Sequence, residues 1–519
     1  MPPLQDMREI EVTSALSPDK LLFRRMRVKE QLGRLTEFDL DLLSKDDNIK
    51  IDSLLGTLMT IRLNLPEGGE RYFNAYVTRF CQTGRSGNYA VYKATLHPWL
   101  WFLTRTADCR IFQDKTVPEI IKEIFREHGF SDFGEALSQN YRQWTYCVQY
   151  RETDFNFVSR LMEQEGSYYY FTHANGRHVL MLADSYSAHD LIPGYWEIPY
   201  VPLSGPEIPE YEHIYEWCIE QQIQPGSYAL NSFDFKKPKT SLEVKSTISR
   251  QHSFENFEIF DYPGDYLSGN DGMNYARARI EALQAQYEQV TGAGDARGLA
   301  VGALFKLTRF PREDQNREYL IVSATHELIS NEYETTPTAE LTPVYTCNFT
   351  AIESKAPYRS PRITPKPFVQ GPQTAVVVGK SGEDIWTDKY GRVKVQFHWD
   401  RYGKSDENSS CWVRVSHPWA GKNWGAIAIP RIGQEVVVDF LEGDPDQPLI
   451  TGRVYNADQM PPYALPDNMT QTGILTRSSK DGSAKTCNEL RFEDKKDAEG
   501  DLYPRRERHE RGRGKQRYA

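Results

Sequence analysis

Apolar and polar positions alternate over short stretches through much of the chain. In Leu35-Thr36-Glu37-Phe38-Asp39-Leu40-Asp41-Leu42, Phe38, Leu40 and Leu42 fall on one face and carboxylates on the other, the period of a half-buried strand. Residues 54–65, a polar turn at 66–70 and residues 71–80 predict strand, turn, strand. The pattern makes residues 20–105 strand-rich.

The period changes in three places. After Asp114-Lys115-Thr116, the residues Ile120, Ile121, Ile124 and Phe125 form one helical stripe. Thr116 is placed to N-cap it, Pro118 suits its first turn, Glu119 completes a capping-box spacing, and Gly129 ends it. A second stripe, Phe157, Val158, Leu161 and Met162, follows Thr153 and Asp154 and stops at Gly166, after which 167–171 return to strand. A third, more polar helix is predicted over 273–290 from Ala276, Ile280, Leu283 and Tyr287, with Gly292-Ala293-Gly294 as its stop.

One stretch echoes another. Gly56-Thr57-Leu58-Met59-Thr60-Ile61 precedes Tyr72-Phe73 by sixteen residues from its glycine, and Gly302-Ala303-Leu304-Phe305-Lys306-Leu307 precedes Tyr319-Leu320 by seventeen. Both look like one hairpin around a polar loop, and internal duplication would leave such a trace.

Pro357, Pro361, Pro365, Pro367 and Pro372 disfavour helix and central strand, so 356–380 is expected to be an extended linker. Beyond it, Val393, Val395, Phe397 and Trp399 share one face of a strand, with Arg392, Lys394, Gln396 and His398 on the other. Strands are also predicted at 411–415, 424–430, 434–441 and 448–455, with a strong turn at Glu442-Gly443-Asp444-Pro445-Asp446. Five short strands over 381–458 fit a small closed barrel of OB type.

Composition narrows the class. The 519 residues imply about three domains. Charged residues at 26% and aromatics at 12% favour a folded, sheet-rich chain over a disordered one. No apolar run is long enough to span a membrane, and the N-terminus lacks the basic start and apolar core of a secretory signal, so export would need another route. The seven scattered cysteines form no CxxC pair and are expected as reduced thiols. Net charge is −10; residues 501–519 hold seven Lys/Arg against three Asp/Glu, +4, which leaves −14 for the rest. An acidic body argues against a nucleic-acid binder.

Candidate chemistry is thin. There is no HExxH, GxSxG or P-loop, and the glycines of 292–298 are expected after a helix, the wrong place for a dinucleotide loop. His326, His398 and His417 lie on predicted strands or their ends, where a lone histidine is usually structural. The acid pairs Asp439 with Glu442 and Glu163 with Glu165 have the residue types of glycosidase carboxylates, but surface or turn roles suit them better. Arg392, Lys394, Arg401 and Lys404 offer an OB-type groove to single-stranded nucleic acid; interleaved Asp384, Asp388, Asp400, Asp406 and Glu407 weaken it. No catalytic, cofactor-binding or metal residue is assigned.

The run Asp388-Lys389-Tyr390-Gly391-Arg392-Val393-Lys394-Val395 resembles the opening of the barrel in the VgrG (valine-glycine repeat) spike proteins of type VI secretion systems. So do Trp412-Val413-Arg414-Val415, Trp424-Gly425, residues 430–436 and residues 443–452, and related barrels sit in the needles of contractile-tailed phages. Residues 146–155 and the run to Gly166 are similar to the same family's hub. The likeness extends over about residues 20–495.

The resemblance implies a mainly β fold with some α+β. A hub over 1–355 would hold two β-barrels, at 20–105 and 295–350, with helical and strand segments between them. The OB barrel over 381–458 would then lead through a neck at 459–495 into the start of a β-helical needle. It implies a homotrimer whose six barrels suit a hexameric, Hcp-like tube, and a non-enzymatic spike that caps the tube, punctures envelopes and carries effectors. Baseplate proteins and a PAAR-type tip protein are the other implied partners; nucleic acid is not, and the target membrane is met only by puncture. The chain would fold in the bacterial cytoplasm and be translocated by the apparatus. The alternatives are an envelope-degrading hydrolase of a phage-tail-like particle and an OB-fold nucleic-acid-binding protein.

Residues 496–519 depart from the family pattern, because Pro504 to Arg517 shows no strand alternation. Codons can be chosen for 501–518 that, read one base later, give an alternating string similar to the family's needle, so a frameshift is expected there. On that reading the needle and its tip-protein contact are lost, and trimer contacts rest on hub and barrel.

Overall fold

Two parts of the chain follow one strand plan. The computed structural model describes residues 8–204, 209–330, 344–483 and 485–502. In the first part, β1 (Ile10–Thr13), β2 (Leu22–Gln31), β3 (Glu37–Ser44), β4 (Leu58–Asn64), β5 (Glu70–Ser86) and β6 (Tyr89–His97) pair in the order β1-β4-β5-β6-β3-β2. In the second, β7 (Glu197–Pro199), β8 (Ile214–Gln221), β9 (Glu288–Gly294), β10 (Leu304–Thr308), β11 (Glu318–Ile329) and β12 (Tyr345–Glu353) pair in the corresponding order β7-β10-β11-β12-β9-β8. One departure separates them: β1 meets β4 antiparallel, whereas β7 meets β10 parallel. Pairing of β2 with β11 fuses both into one twelve-stranded sheet.

The echo between Gly56 and Gly302 is therefore structural, but its register differs from the sequence alignment. Leu58 pairs with Tyr76 and Leu304 with Leu320, so the equivalents are Tyr76-Val77 and Leu320-Ile321, not Tyr72-Phe73 and Tyr319-Leu320. The loop of the first copy is longer than the spacing of similar residues suggested.

Alternation builds a shared core. On β2, Met26 and Val28 are buried while Arg25, Arg27 and Lys29 point away; on β11, Ala324, His326 and Leu328 are buried between Ser323, Thr325 and Glu327. Phe23, Phe38, Ile61 and Phe73 of the first copy join Phe305, Tyr319 and Phe349 of the second in one apolar cluster.

Helices fill the connections. α1 (Val117–Glu127) has Thr116 as N-cap, and Glu119 Oε2 accepts the Thr116 backbone N–H at 2.8 Å. α2 (Asp154–Glu165) is capped by Thr153 and ends on Gly166 in the left-handed region. α3 (Gly269–Gln284) departs from expectation at both ends. Ser268 caps it, so it starts at Gly269, four residues before the expected 273, and Glu288–Gly294 is strand β9. Gly292 is thus no helix stop. It lies under the Phe349 ring, where a Cβ would come within 2.5 Å.

A second unit comprises 108–115, 144–151 and 367–519; the first holds the remainder. Residues 144–151, hub-like in sequence, therefore belong with the barrel: Ile111 and Tyr150 pack on its core of Val377, Val395, Phe397, Val436 and Val438. The barrel sheet contains Lys394–Phe397, Gln373–Val378, Glu435–Phe440, Pro448–Val454 and Arg414–Val415, in that order. Gln373–Val378 falls within the expected linker; strand begins as soon as the prolines end at Pro372. The stretch 424–430 is not a barrel strand, since Trp424–Ala426 pairs only with Trp419–Gly421 in a separate hairpin. In the neck, Gln471–Leu475, Glu489–Glu493 and Gly500–Leu502 form a three-stranded sheet. Strand pairing thus reaches Leu502, inside the stretch expected to be irregular; the basic run from residue 503 lies outside the described residues.

Candidate assembly surface

The strand alternation that buries one face of the twelve-stranded sheet leaves a polar face running across both copies. Arg25 and Arg27 of β2 meet Glu327 of β11 at 3.5 Å. Two open recesses lie on this face. One, of about 510 Å³, is lined by Lys29, Gln31, Glu216, Thr325, Asn348 and Thr350. The other, of about 390 Å³, is lined by Arg25, Arg27, Asp39, Asp41, Arg79 and Lys93.

Beneath the sheet a buried polar relay joins the two copies. Arg71 Nη1 donates to Tyr345 Oη at 3.0 Å, Tyr345 Oη lies 2.8 Å from His326 Nδ1, and His326 Nε2 lies 3.1 Å from Glu30 Oε2. These partners assign the proton to Nε2. Burial, reinforced by Arg71, lowers the His326 pKa. Burial alone would raise the Glu30 pKa, but the His173 ring 3.6 Å away and the bond from His326 outweigh it and hold the carboxyl far below its usual range. Further along, His178 Nδ1 bonds Asn74 Oδ1 at 2.8 Å and its Nε2 accepts the Trp99 N–H at 2.9 Å. Burial, with His173 nearby, holds the His178 pKa down to about 3.

The sequence candidates are engaged structurally. Glu163 is buried and accepts from Arg34 Nη1 at 2.7 Å, Ile363 N at 3.0 Å, Thr364 N at 2.9 Å and Thr364 Oγ1 at 2.8 Å. Glu165 accepts from Tyr275 Oη at 2.9 Å. Asp439 bonds the Phe440 N–H, and Glu442 occupies a left-handed turn position at φ 53°. His398 lies 3.1 Å from Thr374 Oγ1, and His417 sits just past the Arg414–Val415 strand. Glu163 and Glu165 are both buried, and Asp439 and Glu442 occupy a strand and the turn after it.

Two of the four cations of the basic groove are paired with carboxylates. Arg392 donates twice to Asp388, at 2.8 and 2.7 Å, and Arg401 meets Asp108 at 2.5 Å. Lys394 is half-buried 5.4 Å from the Trp412 ring centroid, and Lys404 is exposed. Asp400 closes a turn by accepting from Tyr402 N and Gly403 N. Among the described residues, no group of three His, Cys, Asp or Glu is placed to hold a metal ion.

Apolar side chains lie open in the neck. Ile474 is 64% exposed and Phe492 41%, with Met460, Leu465 and Met469 also exposed. Trp419 and Trp424, edge to face at 5.2 Å, stand exposed on their hairpin. Exposed apolar area of this extent marks a surface made for contact. Periodicity flagged neither these residues nor the buried relay, whose bonded partners lie up to 296 positions apart.

Comparison with known proteins agrees with this layout. Residues 29–332 match the phage tail baseplate hub (GPD) family, and 374–455 match the type VI secretion system/phage-baseplate injector OB domain. The chain is 53% identical over 495 residues to the type VI secretion system spike protein VgrG1c of Pseudomonas aeruginosa, covering 95% of this chain and 68% of that protein. It is 52% identical over 507 residues to VgrG1a of the same organism, covering 98% and 78%. A solved type VI secretion component from E. coli, described as similar to the T4 bacteriophage tail proteins gp27 and gp5, superposes with a TM-score of 0.61 at 22% identity. That match covers 86% of this chain and all of the other.

Proposed function

The chain belongs to the VgrG family of type VI secretion spike proteins, and we propose that it works as a rigid, non-catalytic hub and spike whose three copies close about one axis. The duplicated strand plan carries this reading. Each chain offers two equivalent six-stranded units, so a threefold ring presents six, the number a hexameric tube protein needs for matched contacts. The exposed apolar neck gives the copies a surface to share.

In this role the hub caps a secreted tube and binds baseplate proteins. Effectors ride on the spike, and a target membrane is crossed by puncture. The carboxylate pairs support structure instead of hydrolysis, and the pairing of Arg392 and Arg401 with carboxylates disfavours nucleic acid. The protein folds in the bacterial cytoplasm and leaves with the apparatus. The hub over 1–355 and the barrel and neck after it are the working parts of this scheme.

Light scattering over a dilution series tests the central point. A mass of three chains, and co-sedimentation with a hexameric tube protein, is the expected result. A monomer at every concentration, with no tube binding, overturns it.

A further inference from the structure

The duplication exposes an addition. In the first copy, residues 32–36 join β2 to β3; in the second, residues 222–287 join β8 to β9. The longer connection holds α3 and its own three-stranded sheet, ordered Val244–Thr247, Ser227–Leu230, Glu258–Asp261. The six-strand plan is complete without it, so this insert needs another explanation.

The Glu258–Asp261 strand is an edge. Phe257 O accepts from Gly226 N and Ser227 N, and Asp261 O from Asn231 N, so 257, 259 and 261 direct their backbone groups inward. Alternation turns those of Glu258 and Phe260 outward, ready to pair with an added strand. Around this edge Phe254, Phe257, Phe260 and Tyr262 are each more than half exposed, with Phe254 and Phe257 5.3 Å apart. Aromatic side chains of about 150–250 Å² each, exposed to this degree beside an open sheet edge, make a surface fit for contact.

The strip also has a sign. Residues 253–271 contain Glu255, Glu258, Asp261, Asp265 and Asp271, and no lysine or arginine. Lys245 pairs with Glu258 at 2.6 Å and Lys366 approaches Asp265 at 3.7 Å. Glu255 accepts from the Ser249 hydroxyl, and Asp261 from the Tyr262 N–H and the Tyr228 side chain. Lys236, Lys237 and Lys239 sit in the loop between the other two strands. The edge is therefore aromatic and net acidic.

We propose that the Glu258–Asp261 edge and its phenylalanines form a docking strip for an extended segment of another protein, with apolar and cationic residues in alternation. Backbone pairing with Glu258 and Phe260 sets its direction, the aromatic rings grip its apolar side chains, and the carboxylates meet its cations. Only two residues of the edge face outward, so the rings supply most of the affinity.

The test uses the full chain and a fluorescent nine-residue peptide alternating lysine with valine or phenylalanine. Anisotropy is expected to show saturable binding that weakens at least tenfold in Phe260→Ser and in Phe254→Ser, and weakens as salt is raised. A peptide with glutamate for lysine, or one N-methylated along one edge, is expected to bind at least tenfold more weakly. Both substituted side chains are mostly exposed, and an unchanged circular dichroism spectrum confirms the fold. No binding to the native chain, equal binding of the glutamate peptide, or indifference to Phe260→Ser overturns the proposal. A fall in sedimentation mass of Phe260→Ser also overturns it, because the strip would then be covered by a second copy of this chain.

Discussion

Gly56 and Gly302 hold the same post in two copies of one strand plan. Gly56 N donates to Val77 O at 2.9 Å and Gly302 N to Ile321 O at 3.0 Å, with φ at 75° and 82°. Each starts its hairpin through a left-handed residue. Their surroundings differ. A Cβ on Gly56 would meet nothing within 4 Å, whereas one on Gly302 would lie 2.7 Å from the Tyr170 ring. Gly56→Ala is expected to cost only the backbone strain, about 1–2 kcal/mol. Gly302→Ala adds a steric conflict of about 1–3 kcal/mol. Urea unfolding of both variants checks this; equal losses contradict it.

Acid should weaken the hub through its buried relay. Burial holds His178 at about 3, against about 6.5 in the unfolded chain. Below the unfolded value, the unfolded chain takes up a proton that the folded ring refuses. The stability is therefore whole above about pH 6.5 and is lost as pH falls toward the folded value of about 3. Glu30, with its depressed pKa, adds loss on the same side below the ordinary carboxylate range. Urea midpoints from pH 7 to pH 4 should fall in the native chain and fall less in His178→Gln. Parallel pH profiles would count against the relay.

Glu163 ties α2 to the proline-rich segment and to Arg34. Glu163→Gln turns an acceptor of four hydrogen bonds into a group that sets an amide donor against backbone N–H groups. A loss of roughly 3–5 kcal/mol is expected, as when one member of a buried ion pair is removed. Thr364→Ala removes one of those bonds and should cost about 1 kcal/mol. Denaturation curves separate the two, and similar costs would show the carboxylate is not the centre.

The neck should matter to association and not to folding of the single chain. Ile474 and Phe492 are exposed in the protomer, so Ile474→Asp and Phe492→Asp are expected to shift folding by no more than about 0.5 kcal/mol. Each should raise the concentration needed for assembly at least tenfold. Sedimentation across a dilution series reads this directly. Unchanged assembly would move the shared surface elsewhere.

Local signals in the sequence were reliable where one segment decides its own conformation. Thr116, Pro118 and Glu119 located α1 because a capping box is complete within four residues. The barrel face of Val393, Val395 and Phe397 was legible for the same reason. Failures came where distant residues decide. The stripe Ala276, Ile280, Leu283 and Tyr287 suggested a helix to 290, but pairing with Ile214–Gln221 and Tyr345–Glu353 draws Glu288–Gly294 into the sheet. Gln373–Val378 was hidden behind its prolines. The relay from Arg71 to Glu30 has no local pattern at all; only the fusion of the two copies brings its members together.

The covalent path between the two units bears on how the molecule takes a load. The chain passes from one unit to the other at 107/108, 115/116, 143/144, 151/152 and 366/367, five junctions in all. Five peptide connections, instead of one tether, are therefore available to carry a thrust. For the same reason, after a single proteolytic nick in the proline-rich stretch, residues 108–115 and 144–151 of the N-terminal fragment would still belong to the unit that holds the C-terminal fragment, and the two would migrate as one particle until denaturant is added.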